Sequence, residues 1–116
     1  MITIFFNDNF NNLTLKNLAY DFEKCYQLFL EVMKYTDNSF GISVHEKTLQ
    51  FYKENEDRIL VEIINTNLVN HQMFANFEQS VDIIKEIYQK NAIEVLSPMR
   101  LVDIRRESLD DVLNKI

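Results

Sequence analysis

The stretch Phe40–Ile64, FGISVHEKTLQFYKENEDRILVEII, decides the fold of this chain. Apolar and polar residues alternate along it up to Glu54–Asp57, and they alternate again beyond that point. Side chains of a β-strand point to opposite faces with a period of two, so the pattern predicts half-buried strands joined by short turns. Three of the four residues of Glu54–Asp57 are carboxylates, which places an acidic turn at the tip of the predicted hairpin.

Inward-facing rows can be assigned from the alternation within this stretch. The third strand also carries Leu60 and Ile64 on its reverse side, so it is apolar on both faces and is predicted to be central in the sheet. The three inward rows are Phe40, Ile42 and Val44; Leu49 and Phe51; and Ile59, Val61 and Ile63.

The N-terminal third is predicted to contain one strand and one long helix. Met1–Phe6 is short and rich in strand-forming residues. From Leu15 to Tyr35, apolar residues recur at steps of three and four, which predicts an amphipathic helix of about five to six turns. Thr14 or Asn12 is expected near the N-cap of this helix, because both side chains can accept a hydrogen bond from its first free N–H groups.

The C-terminal half is predicted to contain two helices and one strand. Leu68–Ala75 is either an irregular crossing or a single helical turn. Asn76 is expected to cap a helix that ends near Asn91, and Gln79 three residues on completes a capping box. The remaining expected elements are a strand at Ala92–Leu96 and a short helix capped by Ser108 and Asp111, with Leu109, Val112, Leu113 and Ile116 facing inward.

The resulting order, β-α-β-β-β-α-β-α, predicts an α+β fold. We expect residues 1–116 to form a single domain with a central antiparallel β-meander and helices packed on one face. A chain of 116 residues with 47% hydrophobic content is long enough to bury a core without metal or disulfide support.

Charge and cysteine usage limit the classes of partner. A net charge of −6 disfavours direct nucleic-acid binding, because phosphate contacts need clustered Lys and Arg. Cys25 is the only cysteine, so no intrachain disulfide can form and a reducing compartment is indicated. The start MITIFFNDNF lacks the features of a secretory signal, and no apolar run approaches the ~18–20 residues that cross a bilayer. We therefore expect a cytoplasmic protein that binds neither nucleic acid directly nor membrane.

Glycine and proline occur once each in this chain. Turns must therefore be built by Asn, Asp and Ser, which tolerate turn conformations and bond to nearby backbone. Phosphate-binding loops and nucleophile elbows need glycine where the backbone approaches a ligand or takes a positive φ. Enzymes that depend on nucleotides are accordingly disfavoured.

Residues with catalytic or metal-binding chemistry are few and scattered. His45 and Glu46 are adjacent, but neighbours in a strand point to opposite faces, so they are not expected to share a site. His71 has no carboxylate or cysteine at a metal-ligand spacing, and Cys25 lies beside an apolar stripe, as a small buried residue would. We expect no catalytic residues, no cofactor and no metal, and hence a protein that is not an enzyme.

Candidate partner-binding residues lie in and around the acidic turn: Glu46, Tyr52, Glu54, Glu56 and Asp57. Their carboxylates can meet Lys or Arg of a partner, while the Tyr52 ring can fill a pocket. Two ordinary explanations stay open, since charged residues also keep turns and sheet edges in water and Tyr52 can pack beneath a helix. Arg100, Arg105 and Arg106 either pair with Asp103 and Glu107 or form a second, basic contact.

A small acidic α+β chain without a catalytic motif, containing the central segment TLQFYKENEDRILVEI, resembles the immunity proteins of bacterial contact-dependent growth-inhibition systems. The resemblance covers about half of the chain and includes no diagnostic motif. It implies a cytoplasmic protein that binds and blocks a cognate toxin domain, often a nuclease with a basic cleft.

Three functions are therefore considered. The first is an immunity protein that neutralises a toxin with a basic surface. The second is an inhibitor, encoded by a phage or mobile element, that mimics nucleic acid and blocks a nucleic-acid-binding machine; a long spread of carboxylates would favour it. The third is a small-molecule-binding domain or enzyme, which an internal cavity lined by Tyr and His would favour.

Overall fold

Seven strands and three helices form in residues 1–115, the part of the chain that the computed structural model describes. In chain order they are β1 Ile2–Asp8, β2 Leu13–Leu18, α1 Phe22–Val32, β3 Ser39–Val44, β4 Lys47–Asn55, β5 Arg58–Ile63, β6 Val69–Ala75, α2 Phe77–Lys90, β7 Arg100–Asp103 and α3 Leu109–Leu113.

All seven strands belong to one antiparallel sheet with the order β2-β1-β3-β4-β5-β6-β7. Strands β3, β4 and β5 form the predicted meander, and β6 and β7 continue it as consecutive neighbours. The central position belongs to β4, next to β5, the strand predicted to be central. The hairpin β1–β2 adds to the side of β3, so β1 is enclosed and β2 forms an edge. The predicted α+β class and the meander are confirmed.

The core lies between one face of the sheet and the two longer helices. Helices α1 and α2 pack against each other and against this face, which we call the helix face. Phe29 of α1 is fully buried at the centre, with its ring 5.2 Å from Phe40, 5.1 Å from Phe51 and 5.4 Å from Phe77, centroid to centroid. All three predicted inward rows of the hairpins are buried here.

The opposite face of the sheet, the open face, is covered only in part. Helix α3 lies over its β5–β6 side, where Leu109 is buried next to Leu60 and Phe74. The helices are thus divided, two on the helix face and the short third one on the open face. Apart from Glu54 at the end of β4, the open face of β1, β3 and β4 carries uncharged residues, among them Thr3, Phe5, Ser39, Gly41, Ser43, Thr48, Gln50 and Tyr52.

The single glycine, Gly41, stands on the open face directly beneath the Phe5 ring. A Cβ atom at this position would lie 1.9 Å from Cζ of Phe5. The two residues are cross-strand partners in the β1–β3 ladder, so the ring occupies the space that any other side chain would need. Glycine is required here by close approach of a neighbour rather than by backbone conformation.

Turns without glycine are built mainly by Asn and Asp, as predicted. Asn12, Asp37 and Asn91 adopt positive φ angles of 53°, 73° and 52°. Asn17, with φ of 61°, lies within β2, where the register with β1 shifts. These short polar side chains tolerate the left-handed region better than other non-glycine residues. His45 and Leu68 share this conformation, with φ of 57° and 64°.

The predicted helix from Leu15 to Tyr35 is wrong in its first third. Leu13–Leu18 forms strand β2, and α1 begins at Phe22 behind the N-cap Asp21, not behind Thr14 or Asn12. The Asp21 side chain accepts a hydrogen bond from the backbone N–H of Lys24, which stabilises that start. The earlier segment instead pairs with the outer edge of β1.

Two further assignments in the C-terminal half are wrong. Leu68–Ala75 contains strand β6, neither an irregular crossing nor a helical turn. Asn70 and Gln72 of this strand are polar but buried, and both donate hydrogen bonds to Glu62. The sequence of β6 therefore lacks the usual alternation of apolar buried residues and polar exposed residues. Ala92–Leu96 is a loop, and the strand that pairs with the outer edge of β6 is β7, Arg100–Asp103.

The predicted capping box of α2 and the predicted cap of α3 are confirmed. Asn76 and Gln79 exchange hydrogen bonds at the start of α2, and Ser108 and Asp111 do so at the start of α3. Helix α2 ends at Asn91 in the left-handed conformation, as expected. In α3 Leu109 is buried, Val112 is half-buried and Leu113 is exposed; Ile116 lies outside the described residues. No helix within residues 1–115 is long and apolar enough to span a membrane.

Candidate partner-binding surface

The acidic turn lies between β4 and β5 and is tighter than the sequence suggested. Glu56 and Asp57 form the turn, while Glu54 and Asn55 still belong to β4. The Asn55 side chain accepts a hydrogen bond of 2.9 Å from the backbone N–H of Asp57, which fixes the turn. Glu56 and Asp57 are exposed, and within the described residues neither takes part in an ion pair.

Glu54 has a different role, because Arg58 holds it in an ion-pair network. The Arg58 guanidinium lies 2.6 Å from a Glu54 oxygen and 3.1 Å from an Asp110 oxygen, and it stacks 3.9 Å from the centroid of the Phe74 ring. A guanidinium offers donors on several sides, so it can bind both carboxylates at once. Of the three carboxylates that were predicted to cluster in the turn, Glu54 is therefore paired with Arg58, whereas Glu56 and Asp57 take part in no ion pair within the described residues.

Tyr52 bonds to a carboxylate that the sequence reasoning missed. Its hydroxyl donates a hydrogen bond of 2.6 Å to Oδ1 of Asp37, an exposed residue in the loop before β3. The backbone of Asp37 is held by a bond from its N–H to the carbonyl of Lys53, 2.8 Å, and by Asn9. Asp37 therefore adds a third exposed carboxylate beside the turn. Its position in the turn-forming Asp37-Asn38 pair was the only signal in the sequence.

The loop that carries Asp37 is anchored by the buried amide of Asn38. This amide donates to Oδ1 of Asp8 and to the carbonyl of Val32, both at 2.8 Å, and accepts from the backbone N–H of Asn9. Burial would raise the pKa of Asp8, but hydrogen bonds from Asn11, Asn38 and the backbone outweigh it and lower the pKa below 3.8. Asn38 thus fixes the ends of β1, α1 and β3 relative to one another.

The hydrogen bond to Asp37 is expected to keep the Tyr52 hydroxyl protonated above its ordinary pKa of 10.0. Asp37 raises the pKa of Tyr52 first through that bond and further by its negative charge, with desolvation and Glu54 adding to the shift. Because the pKa is higher in the folded state, this contribution to stability is complete below pH 10 and is lost as pH rises through the folded pKa. A ¹³C NMR titration of the Tyr52 ring measures it. Asp37→Asn should lower the measured pKa, whereas an unchanged value would show that the bond is absent in solution.

Glu46 lies far from the other candidate residues. It forms the two-residue loop between β3 and β4 together with His45, and both are exposed. The prediction that these two lie in a strand is therefore wrong. The nine residues of β4 separate Glu46 from the acidic turn, a distance of roughly 30 Å at ~3.3 Å per residue. The structure thus brings Tyr52, Glu54, Glu56 and Asp57 together at one end of the sheet and leaves Glu46 at the other.

The charges at this end have a clear imbalance. Five carboxylates meet two cations, Lys53 and Arg58, and Lys53 is already bonded to the carbonyl of Met33. The five minus two charges leave a local net charge of −3. We call this surface the acidic end, defined by Asp37, Glu54, Glu56, Asp57 and Asp110.

Cys25 and two of the three C-terminal arginines have local contacts, whereas Arg100 is exposed on β7. Cys25 is fully buried, as predicted, and burial raises the pKa of its thiol to about 11. Arg105 and Arg106 pair with Asp103, while Glu107 pairs with Lys115. No group of three or more His, Cys, Asp or Glu side chains within residues 1–115 is arranged to hold a metal ion.

A shallow depression of about 160 Å³ lies between α2 and the loop that follows it. Leu49 and Ile87 form its floor, and its polar rim is Lys90, which pairs with Glu86 and Glu94. The rim groups thus satisfy one another rather than converging on a ligand.

Comparisons with models of protein families, with curated proteins and with solved structures found no match for this chain.

Proposed function

We propose that this chain is a cytoplasmic immunity protein that binds a basic surface of a cognate bacterial toxin domain and thereby blocks it. The observation that carries this proposal is the acidic end, where Asp37, Glu56 and Asp57 present exposed carboxylates on a fixed backbone. The resemblance of the central segment to immunity proteins of growth-inhibition systems supports it as well.

Rigidity is what makes these carboxylates suited to recognition. The Glu54–Arg58–Asp110 network fixes the base of the hairpin, and Asn38 fixes the loop that holds Asp37. Because the backbone that carries Asp37, Glu56 and Asp57 is already held, a partner that binds these carboxylates incurs little loss of loop entropy. Opposite charge across an interface mainly speeds association and selects the partner.

The neighbouring open face adds a surface of a different kind. Apart from Glu54, its residues on β1, β3 and β4 carry no charge, and Tyr52 stands where this neutral surface meets the acidic end. Protein interfaces have centres depleted in charge and enriched in tyrosine, with charged rims. A compact basic site fits this arrangement, because the exposed carboxylates of Asp37, Glu56 and Asp57 lie close together at one end of the sheet rather than in a long row.

The test is a charge reversal at the acidic end, measured against the toxin domain that this proposal expects a neighbouring gene to encode. In the double variant Glu56→Lys and Asp57→Lys, the association rate at low salt should fall about 10- to 100-fold, with a smaller change in dissociation. Stopped-flow binding from low to high salt measures both rates, and growth of a bacterial host that expresses the toxin domain measures protection.

The matched control reverses two exposed carboxylates at the far end, Glu46→Lys and Glu94→Lys. Both double variants change the net charge from −6 to −2, so they separate local from overall electrostatics. The control should associate at nearly the rate of the unmodified protein. Equal losses in the two variants, or binding that salt does not affect, would contradict recognition by the acidic end.

A further inference from the structure

Glu62 of β5 is a half-buried carboxylate that has no cation partner. Within residues 1–115 it takes part in no ion pair, although it is partly removed from water. The other half-buried carboxylates all have one, and the pairs are Glu54 with Arg58, Asp103 with Arg105, and Glu107 with Lys115. Burial of a charge is unfavourable unless a partner compensates it. The unpaired charge of Glu62 is therefore an exception that needs an explanation.

Two buried amides hold the Glu62 side chain in place. Asn70 and Gln72 of β6 are 2% and 4% exposed, and both donate a hydrogen bond to the same oxygen, Oε2. The other oxygen, Oε1, accepts no hydrogen bond from the described part of the chain. Because no buried side-chain N or O atom there lacks a partner, Oε1 is open to solvent. Glu62 thus presents one oriented oxygen outward.

Gln50 stands directly beside Glu62 on the open face. The two residues are cross-strand partners in the β4–β5 ladder, so their Cβ atoms lie roughly 4.5–5.5 Å apart. The Gln50 side chain is half-buried, and its amide bonds to no other described residue. A carboxylate oxygen and a side-chain amide without a partner are therefore neighbours on this face.

The row that contains this pair is uncharged on one side and holds a distant cation on the other. Gly41 and Phe5 continue it across β3 and β1. In the other direction the buried Gln72 separates Glu62 from Arg100, which is exposed on β7. Two strand spacings amount to about 10 Å, and no ion pair joins Arg100 to Glu62. The charge of Glu62 is therefore left uncompensated by its own chain.

We propose that the open face binds its protein partner through one arginine, whose guanidinium contacts Oε1 of Glu62 and the amide oxygen of Gln50. This inference rests on the proposed function, in which the partner is the basic surface of a toxin domain. Charge complementarity selects a cation. A guanidinium offers donors on several sides and is more weakly hydrated than a lysine ammonium, so it suits two adjacent acceptors on a neutral face. Neutral neighbours around one central contact also exclude water from it.

The first experiment is Glu62→Gln, measured with the toxin domain by stopped-flow binding. Glutamine keeps an oxygen for the amides of Asn70 and Gln72, so circular dichroism should show an intact fold and only the charge is lost. The dissociation rate should rise about 10- to 100-fold, with little change in association, because loss of a partly buried charge contact acts on dissociation. The control Glu46→Gln removes the same charge from an exposed residue at the far end and should change neither rate.

These rates separate the two proposals. The charge reversal at positions 56 and 57 acts on association, whereas Glu62→Gln acts on dissociation. An unchanged dissociation rate in Glu62→Gln would overturn this inference while leaving recognition by the acidic end intact. A double-mutant cycle with each Arg and Lys of the toxin domain changed to Gln should find one arginine coupled to Glu62. Coupling to a lysine, or to no residue, would overturn the inference as well.

A small probe tests the site without the toxin domain. Nα-acetyl-arginine methylamide is titrated into the protein, with the uncharged citrulline analogue of the same shape as the control. The arginine probe should shift the NMR signals of the Gln50 side-chain amide, and Glu62→Gln should abolish that shift. No shift at about 100 mM, where even a very weak complex forms in part, would overturn the site. A shift without binding of the toxin domain would retain the arginine site and refute only the toxin as its partner.

Discussion

Phe29→Ala is expected to lower the free energy of unfolding by about 3–5 kcal/mol, the range for removal of a buried aromatic ring. The Phe29 ring is fully buried and contacts three other aromatic rings, Phe40 and Phe51 of the sheet and Phe77 of α2. Its loss leaves a cavity at the point where α1, α2 and the sheet meet. Urea denaturation followed by circular dichroism measures the change.

Phe10→Ala is the matched control, because it removes the same ring from the surface. The Phe10 side chain is 65% exposed and stacks only on Tyr35, at 3.8 Å between centroids. Loss of the Phe10 ring should lower the free energy of unfolding by less than about 1 kcal/mol. If Phe29→Ala does not fold, Phe29→Leu keeps most of the volume and should cost about 1–2 kcal/mol. Equal costs at positions 10 and 29 would contradict the position of the core.

Asn38→Ala is expected to lower the free energy of unfolding by roughly 2–4 kcal/mol, because it leaves several buried polar groups without hydrogen-bond partners. The Asp8 carboxylate and the carbonyl of Val32 each lose a donor, and the N–H of Asn9 loses its acceptor. Loss of a donor should also raise the pKa of Asp8. The stability that ionised Asp8 provides is present above the ordinary pKa of 3.8 and is lost as pH falls, so acid unfolding should begin at a higher pH.

Chemical denaturation between pH 3 and pH 8 measures both effects of Asn38→Ala. Asn38→Asp separates packing from hydrogen bonding, since it keeps the shape but sets a second carboxylate against Asp8. That variant should be less stable at pH 7 than at pH 5 relative to the unmodified protein. Asn7→Ala, at an exposed residue that bonds only to Thr14, should change stability by less than about 1 kcal/mol. A small cost at position 38 would contradict the anchoring role.

The meander could be predicted because its strands are local and half-buried. Alternation from Phe40 to Ile63 is a direct record of which side chains face the helices, and tight turns bring each strand beside the next. The same logic failed at Leu13–Leu18, where steps of three and four matched a helix. Leu13–Leu18 is a strand because it pairs with the free edge of β1. The periodicity of a segment does not show which strand is available to pair with it.

The candidate site was predicted in position but not in chemistry. The acidic turn stands where alternation placed it, at the end of β4. Its electrostatics depend on contacts between distant parts of the chain: Arg58 with Asp110, and Tyr52 with Asp37. Such pairs follow from how α3 and the loop before β3 fold back on the sheet. The sequence alone carries no record of that packing.

The enclosed position of β1 bears on how the chain folds. Each turn of the β3–β6 meander joins neighbouring strands, so these hairpins can form by contacts between nearby residues. In contrast, Ile2 pairs with Val44, which lies 42 positions later, and α1 must form between them. Closing such a long loop costs entropy before its contacts form, and non-local pairings of this kind slow folding. Docking of β1 against β3 is therefore the step expected to limit the folding rate.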